Sequence, residues 1–120
     1  MHNFRELNVW KKSRILAKEV YLLSSQFPDS EKFGLTSQIR RSAISIASNI
    51  AEGSSRKSTK DFARFLRISL GSAFELETQL LLMKDLKFIN ESEVEPIIQR
   101  IQEIQKMLIG LERNLEDSKS

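Results

Sequence analysis

Hydrophobic positions recur along the chain at intervals of three and four, the period of an α-helix, in four segments separated by three short breaks. The first predicted helix covers 7–26. Trp10, Ser13, Ala17, Val20 and Ser24 follow this spacing, with Val9, Leu16 and Leu23 on the flank. Phe27-Pro28 ends it, because proline disfavours helical geometry in the residue before it. The second helix is predicted over 36–53, with Thr36 as N-cap, Ile39, Ala43, Ile46 and Ile50 as core stripe, and Gly53 as terminator. The third, 59–87, has Ser58 as N-cap. Its positions Phe62, Leu66, Ser69, Ala73, Leu76, Leu80 and Met83 repeat as 4-3-4-3, the seam spacing of coiled-coil packing. The fourth, 92–115, starts at Ser92 with Glu95 in the capping-box position and Pro96 in the first turn. Its seam runs Val94, Ile97, Ile101, Ile104, Leu108, Leu111, Leu115, and the polar tail 116–120 is expected to fray. Short connections make sequential helices antiparallel, so the expected fold is all-α: one up-down-up-down four-helix bundle over 1–120.

Composition supports that picture and narrows it. The 120 residues are 40% hydrophobic and 29% charged, with 4 Gly, 2 Pro and no Cys. This is a globular composition suited to long helices, and the absence of thiols fits a reducing cytoplasm. No apolar run reaches the length of a membrane span, and residues 1–12 lack the apolar region of a signal peptide. Charge is unevenly spread. Residues 1–67 hold 13 Lys and Arg against 6 Asp and Glu, a net of +7; residues 68–120 hold 6 against 10, a net of −4. Such asymmetry can orient a protein on a polyanion, or reflect ordinary solvated helix faces.

Catalytic chemistry is sparse. The one histidine, His2, falls in a terminus expected to be mobile, which removes Ser-His and Cys-His nucleophiles and the Glu-x-x-His pairs of di-iron bundles. No phosphate-cradling glycine motif occurs. Glu52, Glu75 and Glu77 are the carboxylates that could formally act as acid and base, with hydrolysis at Glu52 and Glu77 the minor reading. The expectation is no enzyme activity, no cofactor, no metal and no small-molecule substrate.

Other positions exceed what a monomer core needs. Opposite the core stripe of the second helix lie Arg41, Ser45, Ser48, Asn49 and Glu52, a small polar stripe that is either a solvent face or a surface another chain can approach closely. The third helix is apolar beyond its seam, at Leu70, Phe74 and Leu81, with Glu77 inside that arc. A carboxylate there needs a partner, for which Arg41 or Asn49 of a neighbouring helix or chain are candidates, unless it reaches solvent at the bundle edge. Ile15 and Leu22 point away from the main stripe of the first helix. Ser45, Asn49, Glu52, Phe74, Glu77 and Leu81 are thus candidate subunit-interface residues. Lys60, Arg64 and Arg67 share a face of the third helix, preceded by Arg56 and Lys57; with Arg40 and Arg41 they form the candidate phosphate-contacting set. No aromatic residue clearly interleaves them, so base stacking is not expected.

Several motifs resemble one family. They are Phe4-Arg5-Glu6-Leu7-Asn8-Val9-Trp10-Lys11, Phe27-Pro28, Glu31-x-Phe33-Gly34-Leu35, the run from Gln38 through Arg40-Arg41-Ser42-Ala43 to Ala51-Glu52-Gly53, Phe62-x-x-Phe65-Leu66, Gly71-Ser72 and Glu75-Leu76-Glu77-x-Gln79-Leu80. Together they resemble the four-helix bundle family also called the 23S rRNA intervening-sequence proteins, over about residues 4–115. The resemblance implies an antiparallel bundle assembling into a ring-like homopentamer. Members of that family were first noticed as reading frames within insertions of bacterial 23S rRNA genes and are not core ribosome components. Related bundles serve as accessory factors of diversity-generating retroelements. The resemblance therefore implies an RNA or ribonucleoprotein partner, the alternative being a protein-interaction adaptor for a polymerase or reverse transcriptase. It carries over no catalytic residue.

Overall fold

The computed structural model describes residues 2–117. Four helices fill them: α1 (Asn8–Ser24), α2 (Leu35–Ser54), α3 (Thr59–Asp85) and α4 (Glu91–Asp117), with 3-10 turns at Phe4–Glu6 and Asp29–Glu31 and no strand among the described residues. Each helix packs antiparallel on its sequence neighbour, and α1 also packs on α4, closing an up-down-up-down bundle of 49 × 23 × 20 Å. Leu16 and Val20, Ile39, Ile46 and Ile50, Leu66, Leu76 and Leu80, and Ile101, Ile104 and Leu108 meet in the core with almost no exposed surface. No helix among the described residues is long and apolar enough to cross a membrane.

The seam of α1 differs from the expected one. Its buried positions are Val9, Ser13, Leu16, Val20, Leu23 and Ser24, so the expected Ser13, Val20 and Ser24 are internal, and Val9 to Leu23 repeat as 4-3-4-3 like α3, whereas the expected Trp10 and Ala17 are half-buried on the rim. Trp10 instead covers the N-terminal 3-10 turn, its ring 5.0 Å from that of Phe4 in an edge-on arrangement. Ser13 is tolerated in the core because its hydroxyl donates to the Val9 carbonyl at 2.7 Å.

Helix ends are set by different residues from those expected, except at Ser58, whose Oγ accepts from the Asp61 N–H at 3.0 Å. Thr36 is not the N-cap of α2. Gly34 holds that position, and Thr36 lies buried in the first turn. The cap of α4 is Asn90 rather than Ser92: Asn90 Oδ1 accepts from the Glu93 N–H at 3.0 Å, and Glu93 Oε1 lies 3.5 Å from the Asn90 N–H, so the reciprocal box is Asn90 with Glu93. Pro96 consequently falls in the second turn, where its missing N–H costs one helical bond. Gly53 lies inside the last turn of α2 rather than beyond it. A Cβ there would fall 2.6 Å from Phe65 Cβ and 3.0 Å from Phe62 Cδ1, so this glycine permits close approach of α3. The end of α3 is a Schellman motif with Lys87 at the left-handed position (φ 66°): the Lys87 N–H donates to Lys84 and the Phe88 N–H to Met83. The helical part of the polar tail ends at Asp117, and the rest of that tail lies outside the described residues.

Candidate nucleic-acid interface

The α2–α3 turn carries the densest basic surface. Arg56 bonds Glu52 one helical turn back at 2.5 Å, and its guanidinium lies 4.8 Å from the Phe65 ring centroid. Arg64 lies over the same ring at 4.6 Å. Phe65 can sit there only because Gly53 leaves room for its Cβ. Lys57 and Lys60 are exposed and make no ion pair among the described residues. An aromatic ring therefore does interleave these cations, contrary to expectation, and it restrains two guanidinium groups against a rigid surface. Its sequence signal was the Arg64-Phe65 adjacency, hidden because Phe65 flanks the seam rather than lying on it. The N-terminus docks at this end too. The His2 N–H donates to the Ser54 carbonyl at 2.9 Å and the His2 ring lies 5.0 Å from Phe62, so His2 is anchored rather than loose.

The seven candidate phosphate contacts do not form one surface. Arg67 pairs with Glu112 of α4 at 2.8 Å, which largely neutralises it. Arg40 is a tie between α1 and α2: its Nε donates to Ser24 Oγ at 2.7 Å, and its guanidinium stacks 4.6 Å from the Tyr21 ring centroid. Arg41 lines a polar groove between α2 and α3 with Gln38, Ser42, Glu75 and Gln79. Arg40 and Arg41 lie about 20 Å along α2 from the α2–α3 turn at 1.5 Å per residue. The charge asymmetry of the sequence is likewise partly spent inside the bundle, since Lys12–Glu103 (2.5 Å) and Arg67–Glu112 join the basic half to the acidic one.

Most candidate interface polar groups have partners within the chain. Ser45 bonds Ser72 of α3 at 2.9 Å, Asn49 donates to the Ser45 carbonyl and hydroxyl at 2.9 Å, and Glu52 holds Arg56. Ser42 donates to Glu75 and Ser69 to the Ile46 carbonyl, so the small polar flank of α2 serves its contact with α3. Glu77 meets neither Arg41 nor Asn49. It accepts from Gln105 at 2.7 Å and Gln102 at 3.2 Å, both on α4. Phe74 and Leu81 remain substantially exposed, at 48% and 38%, and exposed Ile109 lies on the flank of α4 that meets α3. Ile15 and Leu22 are exposed on α1. No group of three or more potential metal-ligating side chains occurs among the described residues.

A crystal structure of a protein of unknown function from the S23 ribosomal protein family of Bacteroides thetaiotaomicron superposes with a TM-score of 0.80. It is 34% identical in sequence, and the match covers 86% of this chain and 96% of that one. No curated protein matches the chain. The family model of the 23S rRNA-intervening sequence proteins matches residues 5–110, nearly the whole bundle with all four helices represented, and the chain belongs to that family.

Proposed function

We propose that the protein is a non-enzymatic, oligomeric scaffold that binds structured RNA through the α2–α3 end of the bundle. The observation that carries this reading is the cluster there: Arg56 and Arg64 lie over Phe65, beside unpaired Lys57 and Lys60. Guanidinium groups held by an aromatic face lose little freedom on meeting a phosphate, and Arg64, without an ion pair among the described residues, is the one free to do so, since Arg56 is shared with Glu52. The family name and the ribosomal-family neighbour support an RNA or ribonucleoprotein partner by association. Binding of a structured rRNA hairpin, followed by filter retention between 50 and 200 mM salt, should weaken with a log–log slope of about −2 to −3, as the three cations without an ion pair, Lys57, Lys60 and Arg64, require. Lys60→Glu with Arg64→Glu should abolish retention, and negligible binding of the unchanged protein at the lowest salt would overturn the reading.

Self-association is the second part of the proposal. Phe74, Leu81 and Ile109 on the α3–α4 side, with Ile15 and Leu22 on α1, leave more apolar surface than a solitary bundle needs. A ring of copies, five by resemblance, would cover it. Light scattering that finds only the 13.9 kDa chain at micromolar concentration would sink this part. A second reading, a protein-interaction adaptor, draws on Ile68, Leu82 and Leu86, exposed on the side of α3 away from α4. A partner that survives nuclease treatment and is lost on Leu82→Glu, but not on Lys60→Glu, would favour it.

A further inference from the structure

The face formed by α1 and α2 carries a row of cations that the fold does not use. Lys11, Arg14 and Lys18 follow each other at spacings of three and four, so they share one stripe of α1. All three are exposed and make no ion pair among the described residues. Tyr21 continues the stripe and packs on α2 through Arg40, so the row runs beside α2 rather than α4. Lys12, on the other flank, is taken up by Glu103 of α4. Like charges one turn apart weaken a helix, so the row costs stability that a bound polyanion offsets.

The acids of α1 and α2 do not answer it: Glu19 is held by Arg100 of α4, and Glu52 by Arg56. At the start of the row, Phe4, Arg5, Trp10, Lys11 and Arg14 line a surface groove of about 720 Å³. The Arg14 guanidinium lies 5.6 Å from the Trp10 ring centroid, and Phe4 braces that ring edge-on at 5.0 Å. Glu6, exposed in the 3-10 turn and without an ion pair among the described residues, is the opposing acid there. Beyond Tyr21, Arg40 donates to neutral groups, Ser24 Oγ and the Tyr21 carbonyl, so its charge is not cancelled, and Arg41 stands beside it.

We propose that this face guides an unpaired strand of RNA, with phosphates on Lys11, Arg14 and Lys18. It rests on the RNA reading, since the strand is the unpaired flank of the structured RNA held at the α2–α3 end. The row begins at that same end, where the His2 N–H ties the N-terminal turn to the Ser54 carbonyl at 2.9 Å. Its cations stand in single file over about 10 Å of helix. A single file tracks one backbone, whereas duplex RNA is grasped across a groove through both strands. A lipid surface fits less well. The apolar face of α1 is buried in the bundle, and its exposed aliphatics are limited to Ile15 and Leu22.

Filter retention of the full chain tests this with an oligouridylate dodecamer and with a structured hairpin, blunt or carrying an unpaired extension. The dodecamer should be retained with a log–log salt slope of about −2, as three phosphates of a single strand require. Lys11→Glu with Lys18→Glu should weaken retention and make the slope shallower by about 1.4, the share of two such phosphates. The melting temperature should not fall, because both glutamates gain Arg14 one turn away, which separates lost binding from lost fold. Lys106→Glu, on the exposed face of α4, should change the slope little, so net charge alone is not the cause. The unpaired extension should steepen the hairpin slope by about 2, and Lys11→Glu with Lys18→Glu should erase that gain while leaving the blunt hairpin unchanged. Lys60→Glu with Arg64→Glu should leave the dodecamer retained, so failure of the α2–α3 end and failure of this face are read apart. Three results would overturn the proposal: no retention of the dodecamer at the lowest salt, a slope untouched by Lys11→Glu with Lys18→Glu, or equal retention of a blunt duplex by the Lys60→Glu, Arg64→Glu variant. Displacement of the dodecamer by phosphatidylserine vesicles at equal anionic charge would assign the face to a membrane instead.

Discussion

Replacing Gly53 by alanine sets two opposing effects against each other at a known distance. Alanine is the better helix former by about 0.8–1 kcal/mol, and Gly53 lies inside α2 with no positive φ that would penalise a side chain. Against this, the new methyl would sit 2.6 Å from Phe65 Cβ, 3.0 Å from Phe62 Cδ1 and 3.3 Å from the Phe62 carbonyl. The first and last of these contacts are close to the α3 backbone and cannot rotate away. Relief requires α2 and α3 to separate by several tenths of an ångström where both are packed, and such overpacking costs about 1–3 kcal/mol. Packing should win, for a net loss of about 1 kcal/mol. Two other glycines act as internal controls. Gly71 in α3 and Gly110 in α4 have nothing within 4 Å of an added Cβ, so alanine at either should stabilise by the helix-propensity gain alone, about 0.8–1 kcal/mol. Urea unfolding followed by helical circular dichroism reads all three on one scale through the midpoint shift. If Gly53→Ala raises the midpoint as Gly71→Ala does, the close α2–α3 approach is not what holds this position to glycine, and the restraint inferred for Phe65 goes with it.

Three further substitutions test helix ends and the α3–α4 contact. Lys87→Gly should raise stability by about 1 kcal/mol, by relieving the left-handed backbone at φ 66° while keeping the Schellman bonds, and thermal unfolding will show it as a higher midpoint. Asn90→Ala should lower stability by about 1 kcal/mol through loss of its bond to the Glu93 N–H, whereas Ser92→Ala should change little; equal effects in urea titrations would mean that the cap is misassigned. Glu77→Ala should cost about 1–3 kcal/mol because it strands the amide of buried Gln105, and a Gln105→Leu background should shrink that cost in a double-mutant cycle.

What sequence periodicity could and could not reveal follows from bundle geometry. The seam of α3, from Phe62 to Met83, was fully legible because burial on the bundle axis demands apolar residues at fixed spacing, and every member of that seam is buried. Flanking positions are a different matter. Each helix of a bundle touches two neighbours beside its axial stripe, so a flank can be polar and still be internal. Ser42, Ser45 and Asn49 are such a flank on α2, and Glu77 with Gln105 is another between α3 and α4. Their composition is the same whether the surface they meet belongs to this chain or another, and only the fold decides. The cations posed the same problem: nothing local to Arg67 reveals that Glu112, 45 residues later, neutralises it. Once Arg40 is tied to α1 and Arg67 to α4, the charge left for an outside partner is divided. Lys57, Lys60 and Arg64 lie at the α2–α3 end, with Arg64 over Phe65 and Arg56 beside it shared with Glu52, while Arg41 and Lys32 stand towards the start of α2. Any one RNA engaging both must extend about 30 Å, the length of the 20-residue α2. An RNA helix can do so, and charge reversal at each end separately then reads how much of the binding that end carries.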